Sequence, residues 1–237
     1  IGVLRLINNP IVKKRNLPKY VKKLLREEKW LSKKKFNNLY LVGGTWRSLF
    51  KLHLFQNNHP VHIIHQYSVN RSILTKFVEK ISNFNKSKLK TVEYISKSRT
   101  QYLPYSSIIL NEIMTITNPK KILCSISGLR EGSLSIDHLK NTKETEIFNK
   151  SIEYIASKRG DLGSTYQKYF KFILPVFDGN EHYNKKLLYL ACVLSHMDWG
   201  LGAFQKAELV FQETLNTPLL RLTHKERIQL ALSCYWR

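Results

Sequence analysis

Leu39-Tyr40-Leu41-Val42-Gly43-Gly44-Thr45-Trp46-Arg47 is an apolar run that stops at two glycines and a hydroxyl residue, and the amphipathic run Ser48 to Phe55 follows at once. That order predicts a strand, a tight loop and a helix. Such a loop turns backbone N–H groups toward the start of a helix, where the macrodipole favours an anion. Glycine lets a backbone approach an anion closely and tolerates positive φ. The Thr45 hydroxyl could donate a hydrogen bond there or cap the helix. On spacing alone the stretch reads as a tight turn before it reads as a phosphate loop. Two glycines are not a Walker loop, and no Lys-Ser/Thr follows them.

The same order recurs further on. Ile122 to Ile126 is a short buried-strand pattern, Ser127-Gly128-Leu129-Arg130-Glu131-Gly132 is a turn, and a helix is expected to about Leu139. Strand, glycine turn and helix occurring twice is the pattern of an α/β fold. In the second turn a guanidinium and a carboxylate stand side by side at a helix start. Glu131 suits the positive end of the helix there, and by itself the pair reads as a structural ion-pair site.

Around these units the periodicity supplies the other elements. Pro18 opens a helix over Lys19 to Trp30, with Val21, Leu24, Leu25 and Trp30 on its apolar side. Gly2-Val3-Leu4-Arg5-Leu6 is strand-like, and Val61 to Gln66 alternates like a strand or extended segment. Ser68 is placed to cap a helix to about Phe84 that carries Ile73, Phe77, Val78 and Ile81 inward. Pro104 opens a helix over Tyr105 to Thr117. The polar run Lys140 to Thr145 marks a boundary. Beyond it Phe148 to Ala156, Tyr166 to Phe177, Lys186 to Asp198, Glu208 to Leu215 and Lys225 to Trp236 all read as helices. The expected division is an α/β domain at 1–142 and an all-helical domain at 143–237.

With 237 residues, 43% of them hydrophobic and 24% charged, the chain has the composition of a folded protein. No apolar run approaches the roughly 20 residues that cross a bilayer. No secretory pattern opens the chain, so the cytoplasm is the expected compartment. Cys124, Cys192 and Cys234 have no metal-knuckle spacing and read as reduced, mostly buried thiols. Ile1 begins inside a strand-like run and Ala231 to Arg237 still reads as helix, so a fragment of a longer chain is expected. The net charge of +22 favours polyanionic partners. An AT-rich genome also writes Lys over Arg, with abundant Asn and Ile, and accounts for the excess equally well.

Taken together, several stretches resemble the exopolyphosphatase/guanosine pentaphosphate phosphatase (Ppx/GppA) family. They are Leu41 to Leu49, His59-Pro60-Val61-His62-Ile63-Ile64-His65-Gln66-Tyr67, Ile95 to Arg99 with Leu103-Pro104, and Ser127 to Leu134. The resemblance runs from Gly2 to about Leu139 and continues more weakly beyond. It implies the second lobe of an actin/Hsp70-like, ribonuclease H-like fold, followed by a helical domain related to HD phosphohydrolases. It implies a Mg²⁺-dependent hydrolase that removes terminal phosphate from inorganic polyphosphate, or the 5′-phosphate of guanosine pentaphosphate. By carry-over, Gly43, Gly44 and Thr45 match the third glycine loop, which faces the phosphate cleft. Gly128, Arg130, Glu131 and Gly132 match a late, mainly structural glycine turn. Arg47 and Arg99 are cleft-supporting, Arg99 matching a recurrent arginine of packing or lobe contacts.

The family's catalytic glutamate, metal-holding acids and earlier loops lie upstream of Ile1, so neither catalytic residue nor metal ligand is expected within this chain. Gly2 to Leu6 looks like the strand after the second loop. The fragment alone is expected to be inactive. In the helical part, Leu194-Ser195-His196-Met197-Asp198-Trp199 lies where an HD helix would offer its pair, but His196 and Asp198 point differently around a helix. A degenerate domain without metal is the reading. A homodimer is allowed, and a membrane is not expected. The alternative class is a non-catalytic basic nucleic-acid-binding module using Lys86, Lys88, Lys90 and Lys97 with Tyr94 and Tyr102. Nucleic acid is the less favoured partner, because those lysines read more simply as a solvated face.

Overall fold

The computed structural model describes residues 2–8, 14–33, 36–85, 95–139, 142–158, 165–177, 184–195, 203–217 and 222–236. The chain divides into two compact units, Ile1–Glu131 and Gly132–Arg237. That division falls earlier than the 142/143 boundary expected from the polar run.

The first unit contains α1 (Val3–Ile7), α2 (Leu17–Glu27), α3 (Lys29–Lys33), β1 (Asn38–Val42), α4 (Gly44–Gln56), β2 (Ser68–Asn70), α5 (Arg71–Ser82), α6 (Lys97–Thr100), α7 (Leu103–Thr117) and β3 (Lys121–Ser125). The sheet has the order β1-β3-β2. β1 is parallel to β3, with Leu41 opposite Cys124, and β2 is antiparallel to β3, with Val69 opposite Ile122. The sheet is therefore mixed rather than wholly parallel. Alternation puts Leu41, Ile122, Cys124 and Val69 on one face, all buried. They form one core with Leu49, Phe50, Leu74, Val78 and Leu110 from the helices. A second cluster joins Leu6, Leu17, Val21 and Leu25 to Ile108 and Ile109 of α7. Trp46 packs against both clusters.

Three local expectations are corrected. Gly2 to Leu6 is not a strand: Val3–Ile7 forms a short helix. Its backbone bonds close locally, and Val3 and Leu6, one turn apart, pack into the α2–α7 cluster. Val61 to Gln66, read as a strand or extended segment, lies outside the ladder, and the Gln66 N–H donates to the Cys124 carbonyl at 2.8 Å. The strand lies just beyond it at Ser68–Asn70, so Ser68 lies in the ladder and Asn70 takes the N-cap position of α5. Leu74, not Ile73, shares the buried face with Phe77, Val78 and Ile81, from which it stands three, four and seven residues, and Ile73 is exposed. Finally, α2 ends at Glu27, so Trp30 falls in the separate helix α3 and is exposed.

The second unit continues α8 (Leu129–Leu139), which begins in the first, into α9 (Glu144–Lys158), α10 (Thr165–Phe177), α11 (Lys185–Ser195), α12 (Ala203–Asn216) and α13 (His224–Tyr235). Its core gathers Ile152, Leu190, Leu194, Val210 and Leu230. α13 opens with a full capping box: Thr223 accepts from the Glu226 N–H, and the Glu226 carboxylate accepts from the Thr223 N–H. Arg227 is buried and donates to the carbonyls of Leu215 and Thr217 at the end of α12. A cation at a helix C-terminus offsets both the dipole and the orphaned carbonyls. The three cysteines are buried and free. No helix among the described residues is long and apolar enough to cross a membrane.

Candidate phosphate site

β1 runs directly into α4 through Gly43, which has φ +128° and ψ 159°. That region of backbone space is essentially closed to residues with a side chain. The helix starts at Gly44, four residues before the amphipathic run Ser48 to Phe55. Arg47 N–H closes the first helical bond on the Gly43 carbonyl, so the N–H groups of Gly44, Thr45 and Trp46 precede the intrahelical ladder. Thr45 is half-buried in this first turn. The Ser48 hydroxyl donates back to the Gly44 carbonyl at 3.0 Å.

Arg99 comes to this turn from 55 residues away. Its Nη1 donates to the Gly44 carbonyl at 3.5 Å. A Cβ on Gly44 would lie 2.9 Å from the Arg99 Cζ and Nη1. The guanidinium thus lies against Gly44, where a Cβ would stand in its place. A cation beside a helix N-terminus opposes the macrodipole, and an anion placed between them would satisfy both.

Arg47 ties the first turn to the second. Its Nε donates to the Ser125 carbonyl at 3.1 Å and its Nη2 to the Ile126 carbonyl at 2.6 Å, fastening α4 to the end of β3. Just beyond, Glu131 accepts from the Gly128 N–H at 2.5 Å. A Cβ on Gly128 would meet that carboxylate at 3.0 Å and would stand 3.8 Å from the Arg47 Nη2. The Glu131 carboxyl is held below the usual range by its own backbone N–H, then by that of Gly128, with Arg130 and Arg47 adding charge. It is a helix cap rather than a general base. Arg130 is exposed, and a Cβ at Gly132 would touch nothing. Of the residues singled out in the sequence, Gly43, Gly44, Thr45, Arg47 and Arg99 converge on one helix start. Arg47 joins it to Gly128 and Glu131, while Arg130 is exposed and acts on Glu131 through its charge.

Some contributors escape sequence reading. Trp46 packs over Gly43, its Cδ1 3.6 Å from the Cβ position. His65 accepts from the Ile126 N–H at 3.4 Å, supporting the second turn. Neither contact has a spacing signature. The expected His196 and Asp198 lie outside the described residues, as do Lys86, Lys88, Lys90 and Tyr94; the side chain of Lys97 is likewise not described. Among the described residues no group of three His, Cys, Asp or Glu could hold a metal ion. Around the loop the nearby charges are guanidinium groups, and Glu131 is committed to backbone donors. This set does not fit a Mg²⁺ site.

No curated protein matches the chain. Among solved structures, the crystal structure of the Aquifex aeolicus Ppx/GppA family member aligns with a TM-score of 0.49 at 19% identity, covering 60% of this chain and 48% of that one. The type II variant of the Aquifex aeolicus Ppx/GppA phosphatase aligns at 0.42 and 18%, covering 56% and 46%. The chain spans about half the length of these relatives. The sequence model of the Ppx/GppA phosphatase family matches residues 1–141, more than half of the chain. The chain belongs to the Ppx/GppA phosphatase family.

Proposed function

We propose that this chain contributes one wall of the phosphate cleft of an exopolyphosphatase-like hydrolase, as the second lobe of an actin-like core with a degenerate HD-like helical domain. One observation carries the reading: the Arg99 guanidinium is laid against Gly44 at the N-terminus of α4. The N–H groups of Gly44, Thr45 and Trp46 would donate to the non-bridging oxygens of a terminal phosphoryl group. Arg99 would neutralise the charge that gathers there when water displaces the chain. Arg47 acts through structure, holding the loop against the end of β3.

Water activation and the metal are not assigned to these residues. In this reading the water-orienting glutamate and the Mg²⁺ ligands come from elsewhere in the family's catalytic core, and the present chain binds and orients. Inorganic polyphosphate is the substrate put forward. Guanosine pentaphosphate would use the same loop, and no observation favours it. The nucleic-acid module is the alternative reading, and most of the lysines that suggested it lie outside the described residues.

The test is calorimetric titration of tripolyphosphate into the chain and into Gly44→Val and Arg99→Gln. At least tenfold weaker binding by both variants, with unchanged thermal unfolding, is expected. Unchanged affinity in both overturns the assignment.

A further inference from the structure

α2 carries a stripe of cations that its fold does not need. Leu17, Val21 and Leu25 are buried and fix the helix against α7, while Lys19, Lys22, Lys23 and Arg26 are exposed on the opposite side. These four, with Glu27, line an open groove of about 480 Å³. They follow one another at helical spacings of three and four, so Lys19–Lys23 and Lys22–Arg26 are like-charge neighbours that weaken the helix. Lys19 also stands in the first turn, where no acidic residue balances it and the dipole is already positive. Glu112 of α7 faces Lys22, and the lysine offsets part of the rise that burial gives that carboxyl. No salt bridge engages any of the four among the described residues, whereas Lys150 and Glu146 on α9 pair at 2.8 Å. The stripe thus weakens its own helix, and among the described residues Glu27 and Glu112 are set against its four cations without forming an ion pair to any of them.

We propose that this face of α2 is an anchoring site for inorganic polyphosphate, separate from the loop at Gly43–Thr45. The inference rests on the polyphosphate reading above and adds a second contact to it. At a rise of about 1.5 Å per residue the four cations span about 10 Å, close to one Debye length at physiological salt. They therefore act together on a linear polyanion. The face carries no exposed aromatic side chain: Tyr20 turns inward into the α2–α7 cluster. A single-stranded nucleic acid would lack its stacking platform here, and three of the four cations are lysine ammonium groups, point charges without the planar fork that Arg26 alone supplies. A chain of bare phosphates needs neither.

The experiment is fluorescence anisotropy with end-labelled inorganic polyphosphate over a salt series. It compares the parent chain with K19Q/K22Q/K23Q/R26Q, a charge-matched control K51Q/K80Q/K120Q/K121Q, and Gly44→Val, each checked for fold by circular dichroism. The stripe variant is expected to bind at least tenfold more weakly near 0.1 M salt, and its salt slope to fall by about 2 to 3, given about 0.7 per lost phosphate contact. The control variant should lose much less. Equal losses in stripe and control, or displacement of the label by an RNA oligomer of matched charge at equal concentration, overturn the proposal. A stripe variant that binds like the parent while Gly44→Val does not overturns it too and leaves the loop reading standing. The reverse result sinks the loop and keeps the stripe.

Discussion

The two glycines of the first loop are needed for different reasons, and substitution separates them. Gly43 has φ +128° and ψ 159°, so alanine there is strained by about 1–3 kcal/mol whatever the surrounding space. In the unit of residues 1–131, each kcal/mol is worth about 4 °C of Tm. Gly43→Ala should therefore lower the melting point of that unit by about 4–12 °C. Gly44 is the first residue of α4, where alanine is favoured over glycine by up to about 1 kcal/mol. Its new Cβ would meet only the end of the flexible Arg99 side chain, at 2.9 Å. The guanidinium swings away, so Gly44→Ala should leave Tm within about 3 °C of the parent while weakening tripolyphosphate binding at least tenfold. Removing the guanidinium first should abolish the effect: on an Arg99→Ala background, Gly44→Ala should change affinity less than twofold. Scanning calorimetry and isothermal titration on the four variants complete the cycle. A Gly44→Ala variant as unstable as Gly43→Ala, or one whose binding loss persists without Arg99, would show that Gly44 is not kept small to receive the guanidinium.

Other outcomes follow from single contacts. Arg47→Met removes the donors to the Ser125 and Ile126 carbonyls and should cost about 1–3 kcal/mol in urea unfolding; Arg47→Lys, lacking the fork, should rescue little of it. Arg227→Met leaves the Leu215 and Thr217 carbonyls at the end of α12 without their donor and should cost about 2–4 kcal/mol, with faster amide exchange at the α12–α13 junction and none in the first unit. Burial, and next the charge of His59, holds His53 below its ordinary 6.5. The unfolded chain then binds the extra proton first, so stability is whole above pH 6.5 and declines as pH falls below it. The urea midpoint should drop between pH 7 and 5.5, and His53→Gln should flatten that slope; a slope unchanged in the variant would assign it elsewhere. The chain by itself should release no orthophosphate from polyphosphate with Mg²⁺, because the proposed water-orienting glutamate is not among its residues; steady Mg²⁺-dependent release would refute this.

Much of the architecture was legible because it is written in short-range patterns. The apolar run before Gly43, the helix opened by Pro104 and the buried strand at Ile122 each appear within a residue or two of the pattern that announced them. The errors share a cause. Gly2 to Leu6 is a short apolar stretch that fits strand or helix equally well, and only neighbours decide. Ile73 and Leu74 both lie within four residues of Phe77, and only packing decides which of the two is buried.

The sequence by itself determined that strand, glycine turn and helix would occur twice, because periodicity and glycine act through local backbone geometry. It also carried the family, through motifs whose order survives in the chain. It could not show that Gly44 is small to receive a guanidinium, since Arg99 is 55 residues distant, nor that Arg47 fastens one turn to the other across 78 residues. Those contacts exist only once β1 has paired with β3 and α4 has packed across them. A side chain's partner over such a separation is set by where the sheet places two backbones, and no local propensity encodes that.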